Sequence, residues 1–390
     1  METAELLEIV ARDEDGRHQF KANVTNAQQL FEELVAFSNS GGGRIFIGVN
    51  NDGTFSGLTR EDMERLNQLI SNTCTQNVHP PINVRTENVA VASGLVMVVE
   101  VADGIGKPYM DNKGAILVKS GADKRKVTSR EDIQRMSQKA GLIHGDEIPA
   151  NGVTLADLDR DYFDAFFEKN FGESVDAQDV PLAAILENMN LMEAGVFNVS
   201  GVLLFTKNPS VRLPAFVVKA IAYPGADIDI EKYLDSEDFS GKIENQYRGG
   251  MSFVLRNLRH IQKDQGINTL GIPEVPKIVF EELIANALIH RDYFISAPVR
   301  IFIYSNRIEI ISPGHLPNNL TVENIKSGNS NIRNPILASY ATKILPYRGL
   351  GSGIIRALKA YPRIDFENDV EGNLFKAIVW REENGSEEQG

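Results

Sequence analysis

The sequence predicts an α+β (mixed α/β) fold in more than one domain, and three observations lead there. The chain has 390 residues, more than one ordinary domain holds. Some stretches carry apolar residues at helical spacing, such as Leu30, Leu34, Val35 and Phe37. Others are short apolar runs bounded by turn residues, such as Ile45, Phe46, Ile47 and Val49 before Asn51-Asp52-Gly53. Composition and element order divide the chain into an N-terminal domain (1–140), an acidic helical connector (141–198), a second α/β body (199–385) and a disordered acidic tail (386–390).

Composition narrows the functional classes. Net charge is −13, which argues against a globally basic nucleic-acid binder. The acid is concentrated in the middle. Residues 141–270 hold 11 Lys and Arg against 20 Asp and Glu, whereas residues 1–140 hold 16 against 19. A local basic patch on an end domain is therefore compatible with the total. Cys74 is the single cysteine, so no internal disulfide and no cysteine metal site is expected. The six histidines are scattered, and nothing calls for zinc, haem or flavin. No apolar run is long enough to span a membrane. The acidic, amphipathic METAELLEIV start is unlike a secretory signal, so a cytoplasmic protein is expected.

The N-terminal domain reads in order. A helix over residues 1–12 carries Leu6, Leu7, Ile9 and Val10, and a short strand covers 18–22. A helix from Asn26 to Ser38 stops at Gly41-Gly42-Gly43, and the buried strand RIFIGVN follows. Next come a helix at 60–71, strands at 82–87 and 95–101, a strand at 115–119, a loop at 120–126 and a helix from about Ser129. This order, with Gln19-Phe20-Lys21, the Ala36–Gly43 run, Ile47-Gly48-Val49-Asn50, Asp52-Gly53, Lys107-Pro108-Tyr109 and Val118–Gly121, resembles the Schlafen-type AlbA-like domain, also called the divergent AAA-4 domain. The resemblance covers residues 1–140 and implies nucleic-acid binding, usually of DNA. Lys119, Lys124, Arg125 and Lys126, set around a glycine turn, are the candidate phosphate contacts, and Arg44 is the next. Some Schlafen relatives cut RNA with a carboxylate cluster. Glu14 fills its first position and Asp52 fits its third, but Gln19 stands where the E-F-K acid belongs and lacks the charge a divalent ion needs there.

Beyond the connector, with Phe163, Phe166 and Phe167 on one apolar helix face, strands are expected at 202–205 and 214–223, then a helix at 242–262. A helix at 278–291, a hairpin over 300–312, a helix at 353–360 and a last strand at 374–380 complete a mixed sheet covered by helices. Glu282 and Asn286 project from one side of their helix, one turn apart. Gly349, Gly351 and Gly353 alternate just before another helix, a pattern that lets backbone N–H groups approach phosphate. Together with His290-Arg291-Asp292 and the SPGHLP run at 312–317, these residues resemble the GHKL ATP-binding fold of gyrase, MutL and histidine kinases. Within it they resemble a branch of bacterial and archaeal proteins labelled transcriptional regulators.

That resemblance implies an ATP and Mg²⁺ site. Glu282 would be the general base and Asn286 the Mg²⁺ ligand. Ser312, Gly314, Arg333, Gly349, Gly351 and Gly353 would lie around the nucleotide. Ser312 stands where the adenine-reading Asp is expected, so weak adenine nucleotide binding is predicted. The polar stretch 327–335 replaces the long lid of such ATPases. The sequence therefore predicts a DNA-binding transcriptional regulator whose GHKL-like body senses nucleotide or mediates assembly, for instance into a homo-oligomer. Two alternatives stand beside it: a DNA-dependent ATPase using Glu282 and Asn286, and a Schlafen-type nuclease centred on Glu14 and Asp52.

Overall fold

Helices and strands interleave along the whole chain, giving a mixed α+β fold. The computed structural model describes residues 1–229, 231–261, 271–317, 320–349 and 351–382. The tail expected at 386–390 lies outside them, and the helix expected at 242–262 runs only from Ile243 to Asn257, giving way to a short strand, His260–Ile261. Two compact units emerge, Met1–Ile143 and His144–Gly390.

The first unit is built on a four-stranded sheet in the order His18–Lys21, Gly43–Ile47, Gly94–Val101, Val84–Val91. The first pair is parallel and the other two are antiparallel. Alternation along Gly43–Ile47 sends Ile45 and Ile47 into a core with Leu30, Leu34 and Leu66, and Phe46 into another with Leu6, Val10 and Phe20. The run is continuously apolar because both faces of this strand are covered. Asn26 caps the Ala27–Asn39 helix through Gln28 N. The turn that ends the helix demands glycine: Gly42 has φ +78°, and a Cβ there would lie 2.7 Å from the Val101 carbonyl oxygen. The stretch expected as a loop at 120–126 is a hairpin, Leu117–Ser120 paired with Asp123–Lys126. Its charged residues hide the alternation by which strands are recognised.

The second unit carries a six-stranded sheet in the order Asp235–Phe239, Val218–Ala222, Val299–Ile303, Arg307–Pro313, Leu374–Trp380, Ile364–Asp369. Only the Val218–Ala222 and Val299–Ile303 pairing is parallel among these. Phe163, Phe166 and Phe167 from the Arg160–Phe171 helix share one core with Val218, Ile301 and Ile310 of the sheet. The strand expected at 202–205 is instead part of the Val199–Phe205 helix, whose residues are all buried and whose N-terminus is capped by Asn198. A fully buried apolar run has no polar face to reveal its period, which is why the two readings looked alike. The edge strands Asp235–Phe239 and Ile364–Asp369 also escape sequence reading. The first is acidic, and its Asp235 and Glu237 are bridged by Arg256.

Candidate functional site

In the second unit a cavity opens between the Lys277–Ile289 helix, the start of the Gly353–Ala360 helix and the sheet. Ile310 pairs with Ala377 and Ser312 with Phe375 across two neighbouring strands, and these four residues line the cavity. Every candidate ligand of this unit lines it too: Glu282, Asn286, Ser312, Gly314, Arg333, Gly349, Gly351 and Gly353. Residues 282 and 312 are thirty positions apart, so the strand-to-helix packing brings them together, not local sequence.

The polar groups are held in different ways. Ser312 Oγ donates to the Ala287 carbonyl oxygen at 2.9 Å, and its lone pairs stay available as acceptors. Arg333, 9% exposed, donates to the carbonyl oxygens of His290 (3.2 Å) and His315 (2.5 Å). Gly314 has φ +99°, and a Cβ there would stand 2.4 Å from Arg333 Nη1, so this position accepts only glycine. His290 Nε2 lies 3.0 Å from Tyr347 Oη. Burial, with help from Arg333, pushes the His290 imidazole down to about 4, so it is neutral at pH 7. The 327–335 stretch packs closely: a Cβ at Gly351 would meet the Gly328 carbonyl oxygen at 2.3 Å, and Asn329, Ser330 and Asn331 line the cavity.

Glu282 has a partner that the sequence reading missed. Its Oε1 lies 2.5 Å from Arg356 Nη2. Burial raises the Glu282 carboxyl above its ordinary value, and Arg356 pulls it back down. Arg356 follows Gly353 by three residues on the same helix, a spacing that could have drawn attention to it. For Mg²⁺, the protein offers the Asn286 amide oxygen and a carboxylate already engaged by a guanidinium. Among the described residues no group of three or more His, Cys, Asp or Glu could hold a metal ion. The residues do not fit a metal held by the protein itself. Ser312 presents acceptor lone pairs beside the apolar side chains of Ile310 and Phe375.

In the first unit the candidate cations fall into two sets. Lys119 and Lys124 turn inward toward Glu33, which is 4% exposed. Lys124 Nζ lies 2.9 Å and Lys119 Nζ 3.6 Å from its carboxylate, with Lys21 Nζ at 3.8 Å. Lys119, its side chain 3% exposed, also donates to Gln19 Oε1 (2.8 Å) and to the Ala122 carbonyl oxygen. Gln19 in turn donates to Glu14, which also accepts from Phe20 N. Gln19 thus bridges an acid and a lysine. Asp52 stands apart, exposed in its turn and accepting from Thr54 N and Oγ1.

Arg125 and Lys126 are exposed, with Arg125 3.8 Å from Asp132. Arg44, one-third exposed, lies 3.3 Å from Glu5 and 4.0 Å from Glu100. Strand register extends this point into a row, His18, Arg44, Glu100 and Arg85, crossing the sheet side by side. With Arg17 and Gly41–Gly43 the row lines an open polar groove. A Cβ at Gly16 would lie 3.7 Å from Gly121, so the hairpin tip stands beside Arg17. Arg17, His18 and Arg85 were not legible as site residues, because only the strand pairing gathers them.

Comparison with known proteins finds a domain family in each half of the chain. Residues 14–128 match the family model "Schlafen, AlbA_2". Residues 296–371 match the HATPase model "Putative ATP-dependent DNA helicase recG C-terminal". The chain joins a Schlafen AlbA_2 domain to a HATPase domain. The Schlafen AlbA_2 match includes the arginine row and the Leu117–Lys126 hairpin. The HATPase match begins after the Glu282 helix and includes Ser312, Gly314, Arg333 and the three glycines. Among solved structures, the DIP2311 protein from Corynebacterium diphtheriae is 20% identical over 97% of this chain and 80% of its own, with a TM-score of 0.48. The "N-terminal Domain of Putative ATP-dependent DNA Helicase RecG-related Protein" from Nitrosomonas europaea is 19% identical over 33% of this chain and 96% of its own, with a TM-score of 0.25. Comparison with curated proteins gave no match.

Proposed function

We propose that this protein binds DNA through its Schlafen AlbA_2 domain and senses an adenine nucleotide in the cavity of its HATPase domain, acting as a transcriptional regulator. One observation carries the reading: a single chain combines the two domain matches, both of nucleic-acid-related families. The exposed cations supply the phosphate contacts. Arg17, Arg44 and Arg85 lie along the groove, and Arg125 and Lys126 stand on the hairpin. Surface ion pairs such as Arg44–Glu5 are weak, so a phosphate competes with them readily. Lys119 is buried against Glu33, and Lys124 is held at the protein edge by Glu33 and Glu32, so neither is counted among the phosphate contacts.

The Glu282–Arg356 pair favours sensing over hydrolysis, because a general base must be free to take a proton. Likewise Gln19, tied to Glu14 and Lys119, favours binding over nucleic-acid cleavage. Gel shift of the full chain on mixed duplex DNA and on RNA, at two salt concentrations, tests the reading. Retarded DNA complexes that weaken at the higher salt are expected. Failure to retard either nucleic acid at low salt refutes it.

A further inference from the structure

The chain leaving the Gly94–Val101 strand carries Ile105 between Gly104 and Gly106. Ile105 is 94% exposed, the highest value of any large apolar residue among the described residues. Single exposed apolar side chains are ordinary on a protein surface, but two features set this one apart. The first is bracing. Gly104 N donates to the Ser38 carbonyl oxygen at 2.9 Å, and Gly106 N donates to Tyr109 Oη at 3.2 Å. Tyr109 is buried, and its own N donates to Asn39 Oδ1 at 2.9 Å. A Cβ at Gly104 would stand 2.1 Å from Tyr109 Cε2, so this glycine packs directly on the ring. A backbone pinned on both sides of Ile105 holds that side chain out in solvent. The second feature is place. Ala102 and Asp103 line the groove that holds Arg17, Arg44 and Arg85. Ile105 follows Asp103 by two residues, so it stands within about 7 Å of that rim along the chain. Asp103 repels phosphate little, since Lys107 Nζ and Gly41 N both engage its carboxylate.

We propose that Ile105 is a wedge, which enters between two base pairs of a duplex held along the arginine groove and kinks it. This rests on the DNA-binding reading above and narrows it to a bent duplex. Apolar side chains at the rim of a cationic surface unstack base steps in this way and bend DNA by about 20–90°. The arginines hold the phosphates and supply affinity without regard to sequence. The wedge adds a preference for steps that unstack easily, above all TA, over stiff A-tracts. Bracing matters here because a side chain already fixed in its working position loses little freedom on binding.

Energy transfer between dyes on the two ends of a duplex of about 30 bp, well below the persistence length, tests the proposal. One duplex carries a central TA step and the other a central A-tract, and the full chain is used throughout. The unmodified chain should bring the ends of the TA duplex closer together and bind it more tightly than the A-tract duplex. Ile105→Ser should abolish the bend, weaken binding to the TA duplex by about tenfold, the size expected for leaving one isoleucine side chain unburied, and erase the preference. Its salt slope should match the parent's, because no phosphate contact is lost. Ile105→Met, still apolar and long, should restore the bend. Ile105 lies in solvent, so both variants should melt with the parent. An Ile105→Ser chain that bends and binds the TA duplex like the parent overturns the proposal, and so does a parent that leaves both duplexes straight. If Arg44→Gln weakens binding while Ile105→Ser does not, the wedge alone fails and the DNA-binding reading stands. If the parent binds neither duplex at low salt, that reading falls and takes the wedge with it.

Discussion

Replacing Glu33 by Gln should destabilise the first unit by about 3 kcal/mol, the lower end of the cost of leaving a buried charge unpaired. Glu33 is 4% exposed and faces Lys21, Lys119 and Lys124. Lys21 and Lys124 keep about a quarter of their side chains in solvent and can rehydrate. Lys119, at 3%, cannot, although Gln19 Oε1 and the Ala122 carbonyl still accept from it. That partial compensation sets the lower-end figure. For a unit spanning Met1–Ile143, such a loss lowers the melting temperature by roughly 6–12 °C.

The pH dependence gives a second handle on the same variant. Burial holds the Lys119 ammonium below its ordinary value, with Glu33 opposing the shift. Without Glu33 the depression deepens. Between the folded and unfolded values the unfolded chain binds more protons, so stability rises with pH across that interval. The Glu33→Gln defect should therefore be largest near neutrality and shrink as the pH approaches the ordinary lysine range, about 10. Urea unfolding of the full chain at a series of pH values, following the transition of the first unit, measures both effects. A loss below about 1 kcal/mol, or one that does not change with pH, refutes the reasoning, since exposed pairs behave that way.

Other consequences follow from the second unit. Asp146 is fully buried, accepts from Leu337 N at 2.9 Å and from Ser200 Oγ, and burial pushes its carboxyl up to about 6. Its folded value exceeds its unfolded one, so its contribution is full below about pH 4 and is lost as pH rises through about 6, a span of about 2–3 kcal/mol. Asp146→Asn should flatten that part of the stability profile of the second unit in denaturant titrations. Gly314→Ala should cost about 2–3 kcal/mol, because the left-handed backbone and the approach of Arg333 both exclude a side chain. A melting temperature equal to that of the parent would contradict this. Purified chain is expected to show no ATP turnover above background, and turnover abolished by Glu282→Ala would show that the Arg356 pair opens.

The helix–glycine–strand core of the first unit and the last strand, Leu374–Trp380, were legible because their periods are clean and their boundaries are marked by Gly and Asn. The cavity residues were legible as short local motifs, Glu282 with Asn286 and the alternating glycines. What each motif faces was not. Arg356 and Glu33 are ordinary helix residues in sequence, and only tertiary packing sets one against Glu282 and the other among three lysines. Lys119 read as a surface cation because KSGADKRK is a charge run, yet the hairpin turns alternate side chains to opposite faces and carries Lys119 inward. The arginine row depends on register between strands far apart in sequence, which no local pattern encodes.

The central claim, that the Schlafen AlbA_2 domain binds DNA through exposed cations, is tested most directly by the slope of log affinity against log salt. Fluorescence anisotropy of a labelled duplex would be measured for the full chain and for Arg44→Gln, Arg85→Gln and Lys126→Gln. The account predicts binding that weakens linearly with log salt in the unmodified chain. Each lost phosphate contact should make the slope shallower by about 0.9, with similar effects on unrelated sequences. Binding without salt dependence, or slopes unchanged in all three variants, would contradict it.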